Sequence, residues 1–566
     1  VPESAERLSW LTGFTGSAGM ALITQREAVV FVDGRYVTQL TEQVDGTVFS
    51  GGDLVGEPPH AWIAKHAPKG FRLGIDPWLH AGAEVRRLEK ALAEIGGTLV
   101  SLAHNPLDAI WSDRPAEPVG ALTIQREEFA GKPAGDKLSE IARQTEAKGL
   151  SAVLITDPSS VAWIFNVRGA DVPHTPHPLA RAIVFSNGKA ELFIDAAKLG
   201  SEEAAYLDAL ALRRDPFEFL GRLAEVSKNG ARILIDPDLT PLALTAAIVA
   251  AGGEVVEGID PAKLPRACKN SAELDGSAKA HLQDGAAVVE FLSWLDDQVP
   301  SSITEIDAVT ALEATRARVG QSMQNSLKDV SFDTISGAGE HAAIMHYRVT
   351  SESNRQILPG ELFLIDSGAQ YVNGTTDITR TVAVGSVSED RKRFFTLVLK
   401  GMIAISMAKF PKGTRGCDLD PLARIALWKA GADFAHGTGH GVGSYLSVHE
   451  GPQRISRMST QELLPGMILS NEPGYYRPGA FGIRIENLIF VNDAAPVEGG
   501  DMPVLSFETL TWCPIDRRLV VASLMTSEEL QWLNDYHAEV REKLMPLIDK
   551  DSVKTWLTAA TAPISG

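Results

Sequence analysis

Apolar residues along the chain fall into short blocks rather than long tracts. Near the start, GMALIT and AVVFVD have strand character and end at Asp33. A third block, FRLGIDP, places Asp76 ahead of EVRRLEKALAEI, whose apolar positions recur every three or four residues as in a helix and which Gly96-Gly97 closes. The same order returns later. RAIVFS and AELFID end at Asp195, and ARILIDP places Asp236 before PLALTAAIVA, closed by Gly252-Gly253. A tryptophan-led segment precedes each strand pair, WLTGF at Trp10 and WIFN at Trp163. Trp10 and Trp163 lie 153 positions apart and Asp76 and Asp236 lie 160 apart, the spacing of two copies of one α/β domain.

Between the copies, WSDRPAEPVGAL (Trp111 to Leu122) is rich in Pro and turn formers and reads as a linker. DPAKLPRACKN (Asp260 to Asn270) carries two prolines and gives way to a long helical pattern, SAELDGSAKAHLQDGAAVVEFLSWLDD. From there on the chain forms a third, larger unit. In it ELFLIDSGA, TRTVAVG, GMILSNEP and FGIRIENLIFV have strand character, while RFFTLVLKGMIAISMAKF reads as a helix. The expected division is 1–118, 119–262 and 263–566, an α/β (α+β) chain of two related domains followed by a larger one.

The 566 residues exceed what one hydrophobic core supports. With 53 Lys+Arg against 72 Asp+Glu the net charge is −19, which disfavours a nucleic-acid partner or an anionic membrane surface. Cys268, Cys417 and Cys513 lie far apart with no CxxC, so the expectation is a reducing, cytoplasmic setting without a thiolate zinc site. The most apolar stretch, Leu242 to Ala251, is about half of what a bilayer span needs. The opening VPESAERLSW shows no secretory pattern, and a soluble protein is expected.

Three segments carry candidate chemistry. The first is ELFLIDSGAQYVNGTTDITRTVAV, two apolar strands joined through Asn373-Gly374, a hairpin signal. Each strand holds one aspartate, Asp366 and Asp377, whose parity puts both on one face of an antiparallel pair. A two-residue turn at Asn373-Gly374 would leave the carboxylates about 13 Å apart along the strand. Bringing them together needs a register centred near Tyr371-Val372, with a longer loop or a bulge. The plainer alternative is a solvated hairpin. The second segment, HGTGHGVGSYLSVHEGP, gathers His436, His440 and His449 among glycines that allow close approach to a ligand. It lacks the lysine and preceding strand of a phosphate-binding loop. The third is the pair of glutamates in strand-like contexts, Glu472 in ILSNEPGYY and Glu486 in FGIRIENLIF. A buried carboxylate is costly unless paired or metal-bound, and Arg484 at i−2 offers Glu486 a structural ion pair instead. Two Asp, one His and two Glu would supply −4 against the +4 of two divalent cations. Oxygen-rich ligation without thiolate favours harder ions such as Mn²⁺.

The ordered set LIDSGAQYVNGTTDITRT, HGTGHGVGS, NEPGYY and GIRIEN resembles the dinuclear-metal peptidases of the pita-bread fold, and most closely the aminopeptidase P (Xaa-Pro aminopeptidase) family in its long, three-domain cytosolic form. WLTGFTGS, WIFNVRGADV and LQWLNDYH extend the resemblance over essentially the whole chain. It implies two creatinase-like N-terminal domains and a pita-bread catalytic domain. The implied ligands of two divalent ions, Mn²⁺ foremost, are Asp366, Asp377, His440, Glu472 and Glu486. The implied substrate-positioning histidines are His346, His436 and His449, with Arg484 supporting the last ligand. The resemblance further implies removal of the first residue from peptides with proline second, by a bridging water activated between the metals. Glu472 would act as general base, and His346 and His449 would steady the carbonyl. A homodimer is expected on the same ground, through the segment around Trp532 and Tyr536.

Overall fold

In the first half of the chain GMALIT and AVVFVD form the antiparallel strands Gly19–Ile23 and Ala28–Val32, and RAIVFS and AELFID form Arg181–Phe185 and Ala190–Phe193. Each pair is extended by a parallel strand, Ser50–Asp53 in the first set and Leu212–Arg214 in the second. The two aspartates 160 positions apart do the same work. Asp76 and Asp236 end the strands Arg72–Ile75 and Arg232–Ile235 and accept a backbone N–H two residues on, from Trp78 at 2.9 Å and Asp238 at 3.0 Å. This is the side-chain turn that aspartate favours. The following helices, Gly82–Glu94 and Leu242–Ala250, start where the two sets touch. There the backbone bonds are reciprocal: Ala83 N donates to Pro237 O and Ala243 N to Pro77 O, each at 2.9 Å and each related to the other by the same 160-residue step. A repeat that pairs with itself in this way has the two-fold logic of an isologous interface.

The computed structural model describes residues 1–298 and 302–565, in two units, Val1–Arg266 and Ala267–Gly566. Within the first unit the second set makes a six-stranded mixed sheet in which Ala152–Ile155 lies between Arg181–Phe185 and Arg232–Ile235. The proline-rich stretch between the sets is tied down at both ends. Trp111 stacks on Trp10 at 5.5 Å, Gly120 N donates to the buried Asp171 at 2.9 Å, and Leu122 N donates to Lys198 O.

The second unit is built from helix pairs and antiparallel sheets. Helix Ser271–Asp297 opens with a capping box between Asn270 and Glu273 and packs on Glu305–Ser322, which opens the same way on Thr304 and Asp307. Beside them stands a three-stranded sheet, Ile335–Ala338, Leu362–Ser367 and Ile378–Ala383. Helices Glu389–Ser406 and Gly416–Trp428 pack on each other. A six-stranded sheet carries Gly439–Gly441 between Glu450–Ile455 and Ile468–Asn471, then Asn487–Val491 and Leu505–Thr509. Phe363, Phe395, Leu399, Ile403 and Ile489 are fully buried in one continuous core, each contributing about 1.5–3 kcal/mol by removal from water. No helix among the described residues is long and apolar enough to cross a membrane.

One expectation changes. FGIRIENLIFV is two strands, Phe481–Arg484 and Asn487–Val491, interrupted at Ile485 and Glu486. In the C-terminal segment Trp532 is half-buried and Tyr536 is buried. Tyr536, on helix Ser527–Leu544, is 4% exposed, stacks with Trp512 and Trp532, and accepts a bond from the buried Arg380 at 3.0 Å.

Candidate metal centre

The two aspartates lie in a hairpin whose register is fixed by a tight turn at Val372-Asn373, one position before the Asn373-Gly374 turn and one after the Tyr371-Val372 centre considered from sequence. Tyr371 pairs with Gly374, Gln370 with Thr375, Asp366 with Thr379 and Leu362 with Ala383, all in one register. Gly368 and Asp377 face each other in that register but make no ladder pair, so the ladder is broken at Asp377 without a slip. A methyl on Gly368 would lie 2.0 Å from Ser331 Oγ and 2.1 Å from Thr376 O, so only glycine fits the break. Asp366 and Asp377 are therefore diagonal neighbours on one face, within reach of a common point without the longer loop that the sequence seemed to need.

The glutamates repeat the device. Asn471 pairs with Asn487, and beyond the break Gly474 pairs with Arg484 in the same register, so Glu472 and Glu486 stand directly opposite each other in the gap. Their backbone N–H groups are turned to other strands: Glu486 N donates to Thr379 O at 3.2 Å and Glu472 N to Thr438 O at 2.8 Å. The second break thus frees both glutamates from their own ladder and ties them to neighbouring segments, while the first frees Asp377. Arg380, 1% exposed, reinforces the seam by donating to the carbonyls of Glu486, Thr379, Cys513 and Pro514.

His440 enters from Gly439–Gly441. A methyl on Gly439 would meet Ser470 O at 1.9 Å and one on Gly441 would meet Glu450 O at 2.3 Å. These glycines let strands approach each other rather than a ligand, which corrects the reading of the glycine-rich segment. His440 Nδ1 donates to Gly441 O at 3.0 Å, which fixes the tautomer and leaves the Nε2 lone pair facing Asp377 Oδ2 at 3.5 Å and Glu472 Oε1 at 3.4 Å.

Asp377, His440 and Glu486 offer ligand atoms that all lie within 4.8 Å of one another. Burial, with the neighbouring Asp366 and Glu472 charges, holds the Asp377 carboxyl well above the usual carboxylate range. Burial and Asp377 do the same to Glu486, and Glu472 is raised chiefly by burial. Asp366 Oδ1 is buried with no hydrogen-bond partner. Several carboxylates converging in a desolvated pocket, one oxygen orphaned and one imidazole lone pair aimed inward, fit divalent cations and little else. The buried-ion-pair alternative for Glu486 does not describe the geometry. Arg484 bonds Asp366 Oδ2, and Glu486 Oε2 instead accepts from Thr379 Oγ1 at 2.7 Å.

Around these carboxylates runs a hydrogen-bonded shell. Arg484 Nε donates to Thr379 Oγ1 at 3.1 Å and its Nη1 to Tyr476 Oη at 2.7 Å. Tyr476 Oη in turn donates to His436 Nε2 at 2.9 Å, because His436 Nδ1–H is committed to Gly437 O. Burial pushes the Tyr476 phenol up to about 12. His449 lies against His440, ring centroids 4.2 Å apart, and Met345 O accepts from Arg484 at 3.3 Å, which brings the His346 segment to the same rim. Thr379 and Tyr476 were missed in the sequence. The signal was present, since each shares a strand face with a carboxylate, at i+2 from Asp377 and i+4 from Glu472.

Known proteins resemble the chain over its whole length. The description of metallopeptidase family M24 matches residues 275–493 and that of the C-terminal region of M24 peptidases matches 503–564. The creatinase/prolidase N-terminal domain matches twice, over 3–109 and 113–273. A probable Xaa-Pro aminopeptidase P of Arthroderma gypseum is 39% identical over 98% of this chain and 89% of its own length, and aminopeptidase P2 of Arabidopsis thaliana is 39% identical over 100% and 84%. The crystal structure of the Caenorhabditis elegans X-prolyl aminopeptidase, described as a cytosolic enzyme with a di-nuclear active site, superposes with a TM-score of 0.93 at 34% identity, covering 100% of this chain and 93% of that one.

Proposed function

From its membership of the Xaa-Pro aminopeptidase P group of metallopeptidase family M24, to which the chain belongs, we propose that it is a metal-dependent aminopeptidase that removes the first residue from peptides with proline second. The observation that carries this is the convergence of Asp366, Asp377, His440, Glu472 and Glu486 at two ladder breaks, with Asp366 Oδ1 orphaned and His440 Nε2 turned inward. These five residues would hold two divalent ions, for which the oxygen-rich donor set favours Mn²⁺. When bound, the ions supply Lewis acidity, lowering the pKa of a water and polarising the scissile carbonyl.

The chain's own groups do the rest. Ser470 Oγ donates to Glu472 Oε1 at 3.0 Å, which fixes that carboxylate and leaves Oε2 to take the proton of the attacking water. His449 and His346, on the rim, are placed to donate to the carbonyl oxygen as charge develops on it. His436 is held by Tyr476 and would help orient substrate. Arg484 neutralises part of the cluster and keeps Asp366 aimed. A dedicated enzyme is needed because the Xaa-Pro bond is a tertiary amide without an N–H for ordinary sites to grip.

The chain is organised on this reading as domains 1–118, 119–262 and 263–566, works as a cytoplasmic homodimer, and needs neither nucleic acid nor membrane. The test is release of the first residue from an Arg-Pro-Pro tripeptide and from an Arg-Pro dipeptide by the Mn²⁺-loaded protein, beside Asp377→Asn. Tripeptide cleavage lost in the variant is expected. Cleavage of the dipeptide alone would make it a dipeptidase, and undiminished activity in the variant would remove Asp377 from the site.

A further inference from the structure

Beneath the aspartate hairpin lies a buried charge pair with no place in the chemistry above. Asp284, on helix Ser271–Asp297, is 3% exposed, and Arg316, on helix Glu305–Ser322, is fully buried. The guanidinium grips the carboxylate with two bonds, Nε to Oδ1 at 2.8 Å and Nη2 to Oδ2 at 2.9 Å. Such a pair, replaced by apolar side chains of equal volume, is often no less stable, so stability alone does not account for it.

Its remaining bonds all go to the two strands that flank the Gly368–Asp377 break. Tyr371 Oη donates to Asp284 Oδ1 at 3.1 Å from the turn side of the first strand. Thr376 Oγ1, adjacent to Asp377, donates to Asp284 Oδ2 at 3.0 Å and accepts from Ala369 N at 3.0 Å. Arg316 Nη1 reaches Gly368 O, which also accepts from Ser331 N at 3.1 Å, while Ser331 Oγ donates to Thr376 O at 2.9 Å. Of the two backbone bonds a continuous ladder would make between Ala369 and Thr376, only Thr376 N to Ala369 O remains, at 2.9 Å; Ala369 N turns to Thr376 Oγ1 and Thr376 O to Ser331 Oγ, and the strands on either side are anchored to one carboxylate from a helix. The positive charges of Arg484 and Arg316 both favour the ionised Asp377 carboxylate against its burial.

We propose that Asp284 and Arg316 form a positioning pair that holds the ladder open at Gly368–Asp377, so that the Asp377 carboxylate is preset toward the metal pocket and divalent-ion affinity depends on it. The proposal rests on the reading of Asp377 as a ligand. Closing the break would let Asp377 join the strand and pull its carboxylate out of line with Asp366 and Glu486. Each anchor should therefore act on metal affinity through Asp377 without touching the ions.

The test uses the full chain and Thr376→Val, Thr376→Ser, Tyr371→Phe and Asp377→Asn, read by Mn²⁺ calorimetry on the stripped protein and by the visible spectrum of the Co²⁺ form. Thr376→Val and Tyr371→Phe are expected to weaken Mn²⁺ binding tenfold or more and to alter the Co²⁺ bands, with Thr376→Ser restoring both. A lowered melting temperature in Thr376→Val and Tyr371→Phe with wild-type Mn²⁺ affinity and Co²⁺ spectrum would reduce the pair to ordinary structural support and overturn the proposal. Asp377→Asn separates the two layers. Wild-type binding in that variant removes the ligand reading and the proposal with it, whereas lost binding in Asp377→Asn beside unchanged binding in Thr376→Val and Tyr371→Phe defeats the positioning role alone.

Discussion

Thr379 offers the sharpest single perturbation of the centre. Its hydroxyl donates to Glu486 Oε2 at 2.7 Å and accepts from Arg484 Nε at 3.1 Å, and both partners are almost wholly buried. Valine has nearly the same shape, so Thr379→Val opens no cavity and removes only the hydroxyl. It leaves one carboxylate oxygen and one guanidinium N–H without their partner in a place water does not replace. Hydrogen bonds to charged groups are worth about 1.5–3 kcal/mol each, so about 3–6 kcal/mol is at stake between the two. Part will appear as lower stability of the metal-free protein. The part carried by the orientation of Glu486 should appear as a 10- to 100-fold loss of Mn²⁺ affinity, about 1.4–2.8 kcal/mol, the usual effect of deleting a ligand's outer partner. Titration calorimetry on the stripped variant measures that share directly, and kcat/KM at saturating Mn²⁺ measures what remains. Thr379→Ser keeps the hydroxyl and should stay near the wild type. Unchanged affinity in Thr379→Val would refute the view that this hydroxyl aims the carboxylate, whatever happened to the melting temperature.

Three further outcomes are expected. Tyr476→Phe breaks the link from Arg484 to His436 and should cut kcat/KM by about 10- to 100-fold with two Mn²⁺ still bound, since one bond to a charged group is lost; steady-state kinetics within twofold of wild type would discount the link. Burial pushes His537 from 6.5 down to about 3, with its Nε2 accepting from Ile515 N. A depressed pKa makes its stabilising contribution complete above 6.5 and progressively lost as pH falls toward 3. Between pH 7.5 and 5 the metal-free wild type should therefore lose about 2 kcal/mol more than His537→Gln, seen as a divergence of unfolding midpoints. Gly482→Ala would place a methyl 1.7 Å from Ala342 O and should sharply lower soluble yield and melting temperature, whereas Gly135→Ala, on an exposed helical turn with nothing near its new methyl, should be neutral or stabilising by up to about 1 kcal/mol.

Local chemistry was legible from the chain alone wherever it is set by nearest neighbours in sequence. Asp76 and Asp236 mark strand ends because an aspartate followed by proline closes a turn on its own backbone, whatever surrounds it. The long helices were visible in their periodicity, and the domain repeat in its spacing. The same holds for the candidate carboxylates and histidines, which stood out as polar residues inside apolar strands.

Register and partnership were decided only in three dimensions. The turn at Val372-Asn373 and the break at Gly368–Asp377 depend on Ser331, Asp284 and Arg316, which lie 37 to 92 positions from the residues they hold, and no local propensity reports such bonds. Arg484, two positions from Glu486, pairs with Asp366 more than a hundred residues away, because the packed sheets put that carboxylate nearer and leave Glu486 to Thr379. Tyr536 is held in the core by Arg380 and Trp512, contacts from segments far away in sequence. The sequence by itself determined which residues could bind a cation, since charge and ligand type belong to each side chain. Tertiary structure decided which of them converge and which atom each presents, because burial, tautomer and hydrogen-bond partner are properties of the surroundings.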